Sequence, residues 1–268
     1  MISARERLSS DHLIAIGRTS EVYRWDRTTA AKVLNVDVPP EWADLEASFT
    51  DSVRRIGVAA PEVHEVTLVG GRPVIVFGLV EGASLWQTIC DRRSATDELV
   101  GVLVETQRAI HAAGVPDGVA SLVERQLAKL DDSSELSAAE RRDAHDLLES
   151  LPRGAALLHG DLHPGNVLLG QDGPVVIDWF DATVGNPHAD VARTALLLQA
   201  NGATDLRHLR GADIAIVSAV ERSYGEQSGW IDLPAETRRA WIRVMAASRL
   251  SERTDADTSG LLNIWRTA

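Results

Sequence analysis

The sequence predicts an α+β fold of two lobes: a small antiparallel-sheet lobe over residues 1–80, a connector at 81–84, and a larger, mainly helical lobe over 85–268. Short apolar stretches with strand-like alternation fill the first 80 residues, while apolar residues at helical spacing dominate after residue 84. The length of 268 residues fits one large domain or two lobes, and the hydrophobic content of 44% supplies a sizeable core.

Five strands are expected in the first lobe, at residues 13–16, 21–25, 30–35, 62–69 and 73–80. The first three follow one another with a short turn at 26–29, as in an antiparallel meander. Gly70-Gly71 separates the last two and is typical of a tight hairpin, because both central residues of such turns adopt positive φ.

One helix is expected between the third and fourth strands. Pro39-Pro40 favours its start and Gly57 its end. Apolar residues at spacings of three and four predict one buried stripe, formed by Trp42, Leu45, Phe49, Val53 and Ile56.

After residue 84 the pattern predicts helices interrupted by a short strand-rich stretch. One helix begins at Thr96 and ends at Gly114, and another begins at a capping box of Ser137 and Glu140. Strands are expected at 157–158, 167–169 and 175–177, and further helices at 187–199, 213–226, 234–249 and in a last piece up to residue 265.

The charge of the chain limits the classes of partner. The formal net charge is -12, divided as -2 over residues 1–80 and -10 over 81–268. This acid surplus argues against a nucleic-acid binder, which needs clustered Lys and Arg to neutralise phosphates. It is compatible with a cationic small-molecule substrate, but most acidic proteins are acidic only for solubility.

Other features favour a cytoplasmic protein. Cys90 is the single cysteine, which excludes an intrachain disulfide and a cysteine-based zinc site. The first 13 residues lack the apolar run of a secretory signal, and no stretch is long and apolar enough for a membrane span. We expect no membrane or nucleic-acid partner and a monomer or weak dimer.

The densest group of functional side chains lies in His159-Gly160-Asp161-Leu162-His163-Pro164-Gly165-Asn166, followed by Val175-Val176-Ile177-Asp178-Trp179. Asp161 can accept a proton from an attacking hydroxyl. The amide oxygen of Asn166 and the carboxylate of Asp178 suit Mg²⁺, which prefers oxygen ligands and substrate phosphates to a full protein cage.

Two alternatives for this group remain open at this point. The aspartates can instead cap backbone amides in a polar turn region. His159, Asp161 and His163 can instead ligate a transition metal in a hydrolase. The combination of Asp161, Asn166 and Asp178 with a strand-rich first lobe favours neither of them.

The two segments resemble the catalytic loop and metal-binding segment of the protein-kinase-like fold, in which a metal-binding Asn follows the catalytic Asp by five residues. His-Gly-Asp and Ile-Asp-Trp are closer to the aminoglycoside phosphotransferase family, or choline-kinase-like small-molecule kinases, than to protein kinases. The later Gly185-Asn186-Pro187-His188-Ala189-Asp190 is similar to a segment that follows the metal-binding Asp in that family.

The resemblance implies a lysine on the third strand that holds the α and β phosphates of a nucleotide, and Lys32 occupies that place. Only Lys32 and Lys129 among the 27 basic residues are lysines, which suggests that a compact ammonium is needed at Lys32. Lys129 is retained too, and the sequence gives it no role. The carboxylate partner of Lys32 is expected in the helix at Glu41, Asp44 or Glu46, and Glu46 is favoured.

Further nucleotide contacts are expected in a loop and in the connector. The loop after Gly17 contains one glycine only, unlike the glycine-rich loop of protein kinases, and Ser20 with its neighbouring amides is expected to hold a phosphate. Backbone groups of Gly78 and Val80 are expected to pair with the adenine edge.

The resemblance also implies supporting roles around Asp161. His159 is expected to be a structural residue of the loop, and Asp190 to brace that loop by hydrogen bonds. His163 is expected either to face the transferred phosphate or to order the loop. Asp181 is expected either to contact substrate or to be solvated.

The resemblance, carried by these residues, implies an enzyme that transfers the γ-phosphate of ATP or GTP to a hydroxyl of a small molecule with Mg²⁺. The favoured acceptor is an aminoglycoside or related antibiotic, as in a resistance kinase. Alternatives are a kinase for another metabolite, such as a choline-like amino alcohol, sugar or macrolide, and a non-catalytic nucleotide-binding pseudokinase.

Overall fold

The structure is a computed structural model that describes residues 8–199, 213–252 and 258–268. The chain divides into two compact units: a first unit up to Gly82 that also contains Leu168–Phe180, and a second unit of Ala83–Val167 and the chain from Asp181 onward. Residues 168–180 were expected in the second lobe, but they belong with the first unit, in which the Val176 amide donates to the Ala59 carbonyl oxygen at 2.8 Å.

The first unit is built on a five-stranded antiparallel sheet. Its strands, in chain order, are β1 (Leu13–Ile16), β2 (Ser20–Arg24), β3 (Thr29–Leu34), β4 (Val63–Val69) and β5 (Arg72–Gly78). Their spatial order is β1-β2-β3-β5-β4, so β3 lies at the centre. Lys32 pairs with Val22 on one side and with Ile75 on the other.

Strand alternation decides which side chains β3 presents to each face of the sheet. Ala31 and Val33 enter an apolar cluster with Tyr23 and Val74. The intervening Lys32 therefore lies on the opposite face, which it shares with Leu34. Helix α1 (Glu41–Arg55) packs on that second face through residues such as Ala43 and Ala47.

The buried face of α1 differs from the predicted apolar stripe. Of its five predicted members only Val53 is buried, whereas Leu45 and Ile56 are exposed. Glu46 is buried in their place, with 4% of its surface exposed. An ion pair with Lys32 offsets the cost of burying this carboxylate, and periodicity of apolar residues does not detect such a pair.

The hairpin between β4 and β5 is as predicted. Gly70 and Gly71 have φ values of 61° and 85°, a left-handed conformation that residues with a Cβ adopt at a cost. The short β7 (Val167–Gly170) and β8 (Gly173–Val176) form a separate two-stranded sheet.

The second unit is mainly helical. Its helices are α2 (Leu85–Asp91), α3 (Thr96–Ala112), α4 (Leu122–Asp132), α5 (Ala138–Ser150), α6 (Pro187–Leu198), α7 (Ile214–Gln227), α8 (Ala235–Arg249) and α9 (Thr258–Thr267). Strand β6 (Ala156–Leu158) pairs with β9 (Thr183–Gly185), which brings residue 159 close to residue 182. The α+β class and the kinase-like arrangement of elements confirm the prediction, although α2, α4 and β9 were not expected.

Within the described part of the chain, no helix combines the length and apolar character that a membrane crossing requires.

Candidate active site

The first unit places Lys32 between two carboxylates. Its Nζ atom lies 2.6 Å from Glu46 Oε1 and 3.1 Å from Asp178 Oδ1. Strand β3, helix α1 and the segment after β8 each contribute one of the three side chains. Of the helix carboxylates considered, Glu46 forms the pair, while Glu41 and Asp44 lie on the exposed side of α1.

Burial and charge act in opposite directions on this group. Burial acts to lower the pKa of Lys32, but the charges of Asp178 and Glu46 outweigh it and hold the pKa above its ordinary value. Burial raises the pKa of Glu46, and the Lys32 ammonium opposes this only in part. Lys32 is therefore a permanently charged, oriented ammonium, with 12% of its side chain exposed.

Asp178 has an unusual backbone conformation. Its φ is 66°, and it is the only residue other than glycine with positive φ in the described ranges. Asp tolerates this left-handed region better than most residues, but it still costs conformational energy. The side chain is 42% exposed, so one oxygen binds Lys32 while the carboxylate remains accessible to solvent.

The loop after β1 is held by a backbone hydrogen bond and by one side chain, and it contains one glycine only. The Gly17 amide donates to the Ser20 carbonyl oxygen at 2.8 Å, and Asn35 Nδ2 donates to the Arg18 carbonyl oxygen at 2.9 Å. Ser20 is buried at the start of β2, with 5% of its surface exposed. Its hydroxyl therefore has a fixed position next to Gly17.

At residues 78–80, fewer backbone amides are available to pair with a nucleotide base than the sequence suggested. The Gly78 amide donates to the Glu62 carbonyl oxygen at 2.7 Å, and the Leu79 amide donates to the Thr28 carbonyl oxygen at 2.7 Å. At Gly78 the expected pairing with a base can therefore involve the carbonyl oxygen and not the amide. Val80 is the next residue, and its contact with the base stays a prediction.

In the second unit, Asp190 braces the loop that carries Asp161. Its Oδ1 accepts from the Gly160 amide at 2.8 Å, and its Oδ2 accepts from the His159 amide at 3.3 Å. His111 on α3 lies 2.9 Å from the same Oδ2. Burial acts to raise the pKa of Asp190, but hydrogen bonding and charge from His111 and His159 lower it.

The two histidines of the loop each accept a hydrogen bond on ring atom Nδ1 from a backbone amide of the same loop. His159 is fully buried, and its Nδ1 accepts from the Asp161 amide at 3.2 Å. His163 Nδ1 accepts from the Gly165 amide at 3.0 Å. A transition-metal site of His159, Asp161 and His163 needs these ring nitrogens, and among residues 8–199, 213–252 and 258–268 no group of three metal-ligating side chains occurs.

The side chain of Asn166 is hydrogen-bonded to the backbone of Asp161. Asn166 Nδ2 donates to the Asp161 carbonyl oxygen at 3.0 Å, which fixes the amide group with its NH₂ toward the loop. The Asp161 carboxylate is bound by Arg193, whose Nε and Nη2 donate to Oδ1 at 3.2 and 2.8 Å. Burial acts to raise the pKa of Asp161, but Arg193 and His163 bring it down to about 2.

Asp181 belongs to an ion-pair group that the sequence did not indicate. Arg125 Nη2 and Lys129 Nζ lie 2.9 and 3.0 Å from Asp181 Oδ1. Lys129 also contacts Glu252 Oε1 at 3.0 Å. With 19% of its side chain exposed, Asp181 is not a solvated surface group, so that alternative was wrong.

Sequence reasoning missed Arg193, Glu252 and Arg125, and it left Lys129 without a role. These residues lie in α4, α6 and the turn after α8, so no local spacing connects them. One signal was present: Arg125 and Lys129 are four residues apart, which places both on one face of a helix. Helix α4 itself begins with the capping box of Ser121 and Glu124, which also went unrecognised.

The residues expected to hold Mg²⁺ carry suitable donors. Asn166 uses its NH₂ as a donor within the loop, so its carbonyl oxygen is the atom that can bind a cation. Asp178 adds a partly exposed carboxylate. Oxygen atoms of this kind fit a hard cation that takes its remaining ligands from water and phosphate.

A family model and a curated relative both match the sequence. The sequence matches the model of the phosphotransferase enzyme family (APH) over residues 13–225. A curated relative, the uncharacterized protein YcbJ of Bacillus subtilis (strain 168), is 24% identical over 167 residues, which is 55% of this chain and 53% of that protein. The chain thus spans about half the length of this curated relative.

Solved structures share the fold. A thermostable mutant of aminoglycoside phosphotransferase APH(4)-Ia superposes with a TM-score of 0.62 at 17% identity, covering 95% of this chain and 89% of that one. An aminoglycoside-3′-phosphotransferase of type VIII gives a TM-score of 0.57 at 20% identity, covering 91% and 97%. A ternary complex of an APH(4)-Ia mutant with AMP-PNP and hygromycin B gives 0.63 at 16% identity, covering 95% and 88%.

At these identities the solved structures establish the fold, whereas the family model covers most of the sequence, including the loop of Asp161 and the segment of Asp178. The chain belongs to the phosphotransferase enzyme family.

Proposed function

We propose that the protein transfers the γ-phosphoryl group of ATP or GTP to a hydroxyl of a small molecule, with Mg²⁺ on the nucleotide. The observation that carries the proposal is the position of Lys32 between Glu46 and Asp178, at 2.6 and 3.1 Å. A buried lysine held by two carboxylates from different elements is costly to build as a structural feature alone. It is well suited to bind phosphate oxygens once Asp178 turns to a cation.

The roles of the remaining residues follow from their chemistry. Asp161 receives the acceptor hydroxyl, and Asn166 with Asp178 holds Mg²⁺, which neutralises charge on the phosphates. Ser20 and the amides after Gly17 contact a phosphate, and the backbone at 78–80 contacts the base. Asp190, His159 and His163 keep the Asp161 loop in place.

The transfer itself needs little covalent chemistry from the protein. The acceptor oxygen forms a bond to the γ-phosphorus, and the bond between that phosphorus and the β–γ bridging oxygen breaks, with its electron pair leaving on the nucleoside diphosphate. The hydroxyl proton leaves along its hydrogen bond to Asp161 and passes to solvent. Because the pKa of Asp161 is about 2, its main contribution is orientation of the hydroxyl rather than strong basicity.

For the acceptor we propose an aminoglycoside or a related antibiotic. Two observations favour this class: a structure of the same fold is a complex with hygromycin B, and residues 81–268 carry a net charge of -10. A polycation is attracted by such a charge through long-range electrostatics. Kinases for an amino alcohol, sugar or macrolide, and a nucleotide-binding pseudokinase, are the other outcomes of the same test.

The test incubates the purified full chain with MgCl₂ and either ATP or GTP in the presence of separate acceptors. The panel contains hygromycin B and other aminoglycosides, choline, amino alcohols, sugars and macrolides, and mass spectrometry detects the gain of one phosphoryl group. We expect phosphorylated product with at least one aminoglycoside. Product from another class alone contradicts the acceptor proposal, and the absence of any nucleotide turnover contradicts phosphoryl transfer.

The matched variants are Asp161→Ala and Asp143→Ala, the second an exposed aspartate on α5. We expect Asp161→Ala to abolish transfer and keep nucleotide affinity, and Asp143→Ala to behave like the wild type. Equal transfer by both variants would remove Asp161 from the reaction.

A further inference from the structure

A buried series of ion pairs leads away from Asp161, and the proposed function does not use most of it. It consists of Asp161, Arg193, Glu252, Lys129 and Asp181, and is called the ionic chain below. Arg193 Nη2 contacts both Asp161 Oδ1 at 2.8 Å and Glu252 Oε2 at 3.0 Å. Glu252 Oε1 then binds Lys129, and Lys129 binds Asp181, each at 3.0 Å.

The contact of Arg193 with Asp161 is asymmetric. Both donors of Arg193 bind Oδ1, so Oδ2 is the carboxylate oxygen that can accept a hydrogen bond from an incoming hydroxyl. Two hydrogen bonds to one oxygen also restrict rotation of the carboxylate. Since 28% of the Asp161 side chain is exposed against 7% for Arg193, the arginine lies on the buried side of the carboxylate.

Glu252 is the residue that holds Arg193 in this orientation. Its side chain is 9% exposed and is the shared partner of Arg193, of Lys129 and, at 3.6 Å, of the fully buried Arg249. Removing the Glu252 charge takes away the carboxylate that Arg193, Lys129 and Arg249 share, and only Asp161 and Asp181 of the ionic chain then oppose the three cations. Mutual repulsion and loss of the bond to Nη2 then free the guanidinium of Arg193 to turn.

We infer that Arg193 is a positioning residue for Asp161, and that Glu252, itself bound by Lys129, keeps Arg193 in register. The inference rests on the proposed function, in which Asp161 receives the acceptor hydroxyl. A lysine at position 193 keeps the charge but cannot present the planar set of donors that Asp161 and Glu252 share.

A double-mutant cycle separates positioning from general stabilisation. The rate of MgATP hydrolysis, with water as the acceptor and labelled ATP to resolve low rates, is measured for wild type, Arg193→Lys, Asp161→Asn and the double variant. We expect Arg193→Lys to lower kcat by about 10- to 100-fold with KM for ATP within about threefold of wild type. In the Asp161→Asn background we expect the same change to cause no further loss.

The control is Arg141→Lys, an arginine of the same unit that donates to the Leu130 and Ser133 carbonyl oxygens and makes no contact with Asp161. We expect it to leave kcat unchanged. Equal losses from Arg193→Lys in both Asp161 backgrounds overturn the inference and leave the proposed function intact. Wild-type activity of Asp161→Asn overturns the role of Asp161 in the proposed function, and the inference with it.

A second measurement does not depend on turnover. The crystal structure of Glu252→Gln is expected to show Arg193 Nη2 more than about 3.5 Å from Asp161 Oδ1, beyond hydrogen-bond distance. An unchanged Arg193–Asp161 contact in that variant overturns the role given to Glu252.

Discussion

Lys32 and Lys129 have similar surroundings. The chain uses arginine at 25 of its 27 basic positions, and both lysines lie between two carboxylates with little of their side chains exposed. Lys32 meets Glu46 and Asp178, and Lys129 meets Asp181 and Glu252. A lysine ammonium presents three donors on one atom, whereas the guanidinium of Arg193 meets its two carboxylates with a planar set of donors.

Replacement of Lys32 tests its position between two carboxylates. We expect Lys32→Met to lower the free energy of unfolding by about 3 kcal/mol, because Glu46 stays buried without its cation. The exposed pair of Arg24 and Glu81 offers a matched control, and Arg24→Met is expected to cost less than about 1 kcal/mol. Urea unfolding gives both values.

The same variants separate stability from nucleotide binding. Lys32→Met is expected to weaken ATP binding at least tenfold by calorimetry at a temperature where the variant is folded, and Arg24→Met to leave it unchanged. ATP affinity equal to that of wild type in folded Lys32→Met contradicts the phosphate-binding role of Lys32.

Asp178 combines a carboxylate that is proposed to bind Mg²⁺ with a strained backbone, and two substitutions separate these two features. Asp178→Asn and Asp178→Ala both remove the charge that pairs with Lys32, but only Ala also tolerates the φ of 66° poorly. We therefore expect Asp178→Ala to unfold with a free energy about 1 kcal/mol lower than that of Asp178→Asn. Both are expected to lose the Mg²⁺ dependence of ATP binding, measured by titration with and without the metal; retained dependence in either contradicts the metal role of Asp178.

At the level of elements, predictability follows the range of the interactions. The hairpin at Gly70-Gly71 and the capping box of Ser137 and Glu140 depend on neighbouring residues, and both occur as predicted. The buried face of α1 depends on Lys32 of another element, and the sequence pattern placed exposed Leu45 in it instead. The spacing of Asp161, Asn166 and Asp178 is also a local motif, and the catalytic role that it predicts stays a prediction.

Helix α4 is the opposite case, because the ion pairs of its side chains cannot be predicted from neighbouring residues in the sequence. Its surface positions Arg125 and Lys129 read as ordinary charges of a solvated helix, and only the fold brings Asp181 and Glu252 to them. The partners are 56 and 123 residues away in sequence. Such contacts can be inferred only after the packing of α4 against neighbouring elements is known.

The caps of α4 and α5 allow a comparison between two equivalent elements. Ser121 and Ser137 form the same capping box with a glutamate three residues later. We expect Ser121→Ala and Ser137→Ala each to lower the free energy of unfolding by about 1 kcal/mol. Only Ser121→Ala is expected to lower kcat severalfold as well, because α4 carries the two cations bound to Asp181. Equal kcat values in the two variants contradict a link between α4 and the ionic chain.

Across the whole molecule, the paired acids predict a response to pH. Burial acts to raise the pKa of Glu252, but Arg193 and Lys129 outweigh it and lower the pKa below its ordinary value. A carboxylate with a lowered folded pKa stabilises the protein above its unfolded pKa of about 4.3, and this stabilisation is lost as pH falls through the folded value. We expect the free energy of unfolding to fall between about pH 4.5 and 3, by about 1–2 kcal/mol less in Glu252→Gln than in wild type.

The control for this pH response is Glu140→Gln. Hydrogen bonds from Arg266 and Ser137 lower the pKa of Glu140 to about 2, but Arg266 is more than half exposed, so solvent screens part of the effect. We expect Glu140→Gln to change the pH curve less than Glu252→Gln does. Identical acid profiles of Glu252→Gln and wild type would contradict the contribution assigned to Glu252.

The distribution of charge determines which carboxylates could attract the proposed cationic acceptor. Asp161, Asp181, Asp190 and Glu252 all have cationic or histidine partners, so these carboxylates do not supply the acid surplus of -10. The surplus acts instead as a field from carboxylates elsewhere in residues 81–268, and such a field is screened by salt over about 8–10 Å.

Salt dependence therefore tests whether the surplus serves substrate binding. Between about 50 and 500 mM NaCl we expect KM for hygromycin B to rise severalfold, because screening removes the long-range attraction of a polycation. KM for a neutral sugar acceptor provides the comparison and is expected to stay constant, while KM for ATP corrects for effects on the nucleotide. If the two acceptors respond equally to salt, the acid surplus maintains solubility and makes no contribution to the choice of acceptor.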